Sequence, residues 1–107
     1  MKNIRPFVKT LDSARKSKRL LGNSGKKKGL CSGFVTLKRD KSIGLHSTGK
    51  KEEIIIVLEG KAQVSIAGKS FILKDRMMLY IPLNTMHNVK NIDIHPLKYI
   101  YVTAPAT

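Results

Sequence analysis

From Leu30 onward the chain is a succession of short apolar or alternating runs broken by turn residues. The runs are Leu30–Lys38, Ile43–Ser47, Glu53–Leu58, Ala62–Ala67, Ser70–Leu73, Met77–Ile81, His87–Val89 and Leu97–Thr103. Between them fall Asp40-Lys41, Thr48-Gly49, Glu59-Gly60, Ala67-Gly68, Lys74-Asp75, Pro82–Asn84 and Asn91–Pro96. Many short strands at close, even spacing predict an all-β sandwich or barrel. In Ile54-Ile55-Ile56-Val57-Leu58 both alternating sets are apolar, so this strand is expected to be buried on both faces. One face would line the barrel. The other would be covered by a second sheet, by the N-terminal segment, or by another subunit, and a two-fold homodimer is the commonest such solution.

Met1 to Gly29 reads differently. It is polar and basic, with Gly22, Asn23, Ser24, Gly25 and Gly29 as breaks, and Leu11, Ala14, Leu20 and Leu21 give only a ragged helical spacing. A short helix or extended arm is expected there. The division is therefore a basic arm over 1–29 and one barrel domain over 30–107, in keeping with a length of 107 residues.

Charge sharpens that division. The net charge is +14, and residues 1–28 hold ten of the 21 basic side chains against one acid, Asp12. A basic arm on a modestly basic domain raises the local concentration of small anions. Nucleic acid is disfavoured as a partner, because the chain has three Phe, three Tyr and no Trp for stacking and offers no recognition helix. The Gly22–Gly29 stretch lacks the spacer and the Ser or Thr of a phosphate loop. No apolar run approaches the ~20 residues of a membrane span, and the charged N-terminus does not read as a signal peptide. One cysteine, Cys31, excludes an intramolecular disulfide framework, so a reducing cytoplasm is expected. Cys31 reads as a packed strand residue, Met77, Met78 and Met86 as core filler, and His95 as an exposed loop histidine.

The candidate chemistry lies at strand ends. His46 ends one predicted strand, and Glu53 begins the next after Ser47–Lys51; as a hairpin, these two strands would set His46 and Glu53 side by side. His87 begins a third strand after the Pro82–Thr85 turn. Two imidazoles and a carboxylate on one interior face form the facial arrangement associated with non-haem iron, and Mn, Zn, Ni and Co also suit it. Without a metal, the same three side chains would be a hydrogen-bonded polar cluster in which Glu53 could act in acid–base chemistry.

These residues resemble the two motifs of the cupin superfamily. In Gly44-Leu45-His46-Ser47-Thr48 through Gly60, His46 falls on the first histidine, Glu53 on the glutamate and Gly60 on the closing glycine. In Pro82 through Asn91, Pro82, His87 and Asn91 match the second motif. The resemblance covers about residues 30–104 and implies a small jelly-roll β-barrel with His46, Glu53 and His87 as ligands of a divalent metal. Thr48 departs from the pattern, standing where a second histidine is usual, and the resemblance leaves it to hydrogen-bond water or substrate. Asn84 and Arg76 stand where glycines are usual. Tyr99 and Tyr101, two apart on one strand face, could line the barrel mouth and bind a ligand. The resemblance implies a small polar or anionic ligand and admits dioxygenase, isomerase, epimerase or lyase chemistry without selecting one. The alternative is a non-catalytic sugar- or metabolite-binding barrel without metal.

Overall fold

The computed structural model describes residues 5–11, 16–22 and 29–106. Among the described residues nine strands follow one another: β1 (Lys18–Leu21), β2 (Cys31–Leu37), β3 (His46–Ser47), β4 (Lys51–Glu59), β5 (Ala62–Ile66), β6 (Lys69–Leu73), β7 (Met78–Ile81), β8 (Met86–Asn91) and β9 (Leu97–Pro105). They form a five-stranded sheet ordered β1-β2-β9-β4-β7 and a four-stranded sheet ordered β3-β8-β5-β6, with every pairing antiparallel. The fold is all-β, and among the described residues there is no helix.

The basic segment contributes to the first sheet. Lys18–Leu21 pairs with β2, and Ser17 Oγ accepts the Thr36 amide at 3.0 Å, so the ragged spacing around Leu20 and Leu21 yields a strand. Asn23, Ser24, Gly25 and the Lys26–Lys28 run lie outside the described residues.

Turn chemistry explains the strand boundaries. Ala67 and Gly68 both take positive φ, 48° and 83°, as a two-residue turn of mirror-image type requires between β5 and β6. Gly60 is constrained twice: its φ is 104°, and a Cβ there would meet Leu97 Cα and Pro96 O at 3.1 Å. Arg76 and Asn84 also adopt positive φ, 65° and 51°. The left-handed turns are therefore kept although the residues are not glycine, and asparagine tolerates this conformation better than arginine.

Alternation along the strands builds the core. Ile55, Val57, Ala62, Val64, Leu73, Ile81, Val89, Leu97 and Tyr99 pack together, with Val35, Leu37, Ile66, Leu79 and Tyr101 around them. Ile55 and Val57 are fully buried, whereas Ile54, Ile56 and Leu58 on the opposite face of β4 are half-buried. The expected burial on both faces is thus complete only on the inside. Met77, Met78 and Met86 are corrected from core filler to exposed residues, because they fall at turns or on the outward alternation. Cys31 is buried on β2, and His95 is exposed in a loop.

The two faces of β4 should differ in stability. Ile55→Ala, which empties a fully buried site, is expected to cost about 2–5 kcal/mol. Ile56→Ala should cost clearly less. Urea unfolding of both variants checks this, and equal losses would contradict the inward assignment of Ile55.

Candidate metal centre

The centre is assembled across the two sheets, and the expected β3–β4 hairpin does not form. β3 pairs instead with β8, placing His46 directly opposite His87, while β4 leaves for the other sheet between β9 and β7. The two imidazoles therefore come from neighbouring strands of one sheet, with ring centroids 4.1 Å apart and planes tilted by 58°. Glu53 reaches them from the facing sheet, where it shares the inward alternation with Ile55 and Val57. Ligand atoms of His46, Glu53 and His87 all lie within 4.8 Å of one another. The likeness in sequence thus finds its residues together, through a different pairing from the one expected of the loop.

Hydrogen bonding decides which ring nitrogen faces inward. His46 Nδ1 lies 2.9 Å from Gly44 O, and His87 Nδ1 lies 3.0 Å from Thr85 O. A carbonyl can only accept, so each Nδ1 must be the donor, and in the neutral ring Nε2 carries the lone pair. Gly44 is itself held, its amide donating to Asn88 Oδ1 at 2.9 Å. Fixing the outer nitrogen on a carbonyl in this way orients an imidazole for metal ligation.

The consequence is an unmet need. His87 is fully buried, and its Nε2 has no hydrogen-bond partner. Glu53 Oε1 stands 3.5 Å away, but two acceptors facing each other do not make a hydrogen bond. A cation or an added proton between them would satisfy both. The electrostatics agree: burial pushes the Glu53 carboxyl up to about 7, offset in part by His46. Burial lowers the His87 imidazole, its bond to the Thr85 carbonyl opposes this, and His46 lowers it further. The residues present therefore fit a divalent metal ion, which needs one anionic and two neutral donors of this kind.

The other sequence candidates separate. Thr48 Oγ1 donates to Pro82 O at 2.7 Å and accepts the Thr85 amide at 3.0 Å, and the Thr48 amide donates to Thr85 O at 3.2 Å. Its only hydroxyl hydrogen is committed to the backbone, so Thr48 clips the loop after His46 to the turn before His87. Tyr99 and Tyr101 both face inward, but Tyr99 is 1% exposed and belongs to the core rather than the mouth. Burial, then the charge of Glu53, then Tyr101 push the Tyr99 phenol well above its ordinary range, so it stays a hydrogen donor. Tyr101 lies against Gly33, where a Cβ would fall 2.4 Å from the ring. Asn91 is fully buried and structural: its amide donates to Leu37 O and His95 O, and its Oδ1 accepts the Asp93 amide. Sequence reasoning missed Asn88, whose Oδ1 accepts the Gly44 amide, because that partner lies far away along the chain.

Comparison with known proteins identifies the family and the fold. A family model described as a cupin domain matches residues 33–103. A 61-residue stretch is 34% identical to the uncharacterized protein MJ1618 of Methanocaldococcus jannaschii, covering 57% of this chain and about half, 49%, of that relative. The solved structure of BH2720 from Bacillus halodurans is similar with a TM-score of 0.81, at 24% identity over 96% of this chain and 83% of that one. A Cupin 2 conserved barrel domain protein from Salinispora arenicola is similar with a TM-score of 0.72, at 21% identity over 99% of this chain and 91% of that one. At these identities the two structures share the fold.

The raised Glu53 carboxyl sets a sign for pH dependence. A carboxyl held above its unfolded value favours the folded state while protonated, and that contribution fades as pH rises through about 7. In chelator-treated protein, Glu53→Gln should therefore gain stability over wild type between pH 5 and pH 8, with the larger gap at pH 8. Thermal unfolding across that range checks it, and a gap independent of pH would contradict the burial of a titrating Glu53.

Proposed function

The chain belongs to the cupin domain family, and from that premise we propose that it is a small metal-binding barrel for a polar or anionic organic ligand. The observation that carries the reading is the buried, unpartnered Nε2 of His87 facing the Glu53 carboxylate. His46, Glu53 and His87 would hold a divalent first-row ion such as Fe, Mn, Zn, Ni or Co. Once bound, such an ion would supply Lewis-acid polarisation of a ligand oxygen.

The chain's own residues supply the rest. The Gly44 and Thr85 carbonyls keep both imidazoles turned with Nε2 inward. Thr48 holds the two histidine-bearing loops together through Pro82 and Thr85. Ile55, Val57 and Ile81 close the floor beneath Glu53 against water, which strengthens every charge interaction above them. Tyr99 keeps its proton inside the wall and can donate it in a hydrogen bond without ionising.

A second reading, a metal-free metabolite-binding barrel, draws on Thr48, whose hydroxyl serves the backbone and supplies no further imidazole. Elemental analysis of purified wild type beside His46→Ala and His87→Ala separates the two. Near one equivalent of metal in wild type is expected, with retention in each variant reduced more than about 100-fold, beyond the effect of losing an outer-shell partner. Wild type that refuses added Fe, Mn, Ni, Co and Zn would overturn the metal reading in favour of the second.

A further inference from the structure

The metal centre makes no use of the basic segment that opens the chain. In its described stretches, 5–11 and 16–22, that segment carries Arg5, Lys9, Lys16, Lys18 and Arg19 and no acid. All five cations are exposed. Among the described residues none of them forms an ion pair, the pairs present being Arg39–Asp40, His87–Glu53 and Lys98–Glu59. The segment is nevertheless attached to the barrel. β1 is the outer strand of the five-stranded sheet, and Lys18 Nζ donates to Thr10 O at 3.4 Å, tying the preceding stretch to that edge.

Charges on an edge strand commonly guard against pairing with another chain, and that accounts for Lys18 and Arg19. It does not account for Phe7. This ring is 62% exposed, and Lys9 Nζ stands 5.7 Å from its centroid. Phe7, Lys9, Arg19, Leu20, Leu21 and Gly22 line an open groove of about 330 Å³. The groove thus joins a flat aromatic face, two leucines and two unpaired cations. A lipid surface would call for a broad apolar face, whereas this is a slot at the small end of ligand-site size. A nucleobase matches it, because its faces are apolar and its flanking phosphates are anionic. The scarcity of aromatic residues and the lack of a recognition helix weigh against reading a duplex. A single strand needs neither, since a basic track with a stacking ring suffices.

We propose that the groove between Phe7, Lys9 and β1 is a binding surface for single-stranded nucleic acid, with Phe7 stacking on a base and Lys9 and Arg19 meeting the adjoining phosphates. Arg5, Lys16 and Lys18 extend the basic track on either side of the groove. The net charge of +14 adds long-range attraction for a polyanion. Sequence preference is expected to be weak, because every base offers a face for stacking. None of His46, Glu53 and His87 lines the groove, so this reading stands apart from the metal-binding one.

The test is fluorescence anisotropy with a labelled twelve-nucleotide oligothymidylate and an abasic deoxyribose-phosphate strand of the same length, over a range of salt concentrations. The full chain is compared with Phe7→Ala, Phe7→Tyr, the double variant Lys9→Gln/Arg19→Gln, and the control Lys69→Gln/Lys74→Gln. The control removes two exposed charges at the other sheet. Wild type should bind oligothymidylate more tightly than the abasic strand. Phe7→Ala should weaken oligothymidylate by about 5- to 150-fold, the loss of one stacked base, and leave the abasic strand unaffected. Phe7→Tyr should retain binding. Lys9→Gln/Arg19→Gln should lower the slope of log affinity against log salt by about 0.7 per charge removed, and the control should leave it unchanged. Equal affinity of wild type for the two strands, or an equal loss in the control variant, would overturn the proposal. So would failure to bind oligothymidylate, and binding to phosphatidylserine vesicles in its place would assign the groove to a membrane surface.

Discussion

Side chains on a strand alternate between its faces, and β4 shows how much follows from that constraint. The inward set runs from Lys51 through Glu53 to Ile55 and Val57, a cation, a carboxylate and then fully buried apolar floor. One strand thereby sets the polarity gradient of the barrel from mouth to base. A shift of register by one residue would turn Ile54 and Ile56 inward and remove Glu53 from the centre altogether. The same pairing that buries the core therefore fixes where the chemistry can be.

The apolar floor also accounts for the electrostatics of the centre. Burial disfavours charge on Glu53 and on His87 alike, so it raises one and lowers the other. The backbone takes up both outer imidazole nitrogens, which removes the freedom of either ring to turn and meet Glu53 as a donor. Three acceptor groups then converge, with His87 and Glu53 buried and His46 exposed at the edge. Such an arrangement is costly when left alone, and a cation held among the three groups would offset that cost.

Thr48 illustrates how a change of residue type redirects a position. The hydroxyl at this position bonds the Pro82 carbonyl and the Thr85 amide. The loop carrying His46 and the turn preceding His87 are held together by that exchange. Arg76 and Asn84 show the opposite behaviour. Their backbones keep positive φ although glycine is absent, because the surrounding strands over-determine the turns.

The sequence by itself determined the strand succession, the turns and the identity of the converging residues. Period-two alternation and the Gly and Asx breaks mark β2 and β4 to β9 within a few residues, because burial on one face and turn sterics are written locally. His46, Glu53 and His87 were legible through two spaced motifs. Only the tertiary structure decided how they meet: Thr48, Gly49 and Lys50, between Ser47 and Lys51, look like a hairpin loop but carry the chain from one sheet to the other. Local periodicity contains no information about which strand will pair with which, since that choice is made by long-range burial. The same reason hid the strand at Lys18–Leu21, the backbone duties of Thr48 and Asn88, and the reach of Lys51 toward Cys31. Each depends on a partner distant in sequence, brought close only when the two sheets close over a shared core.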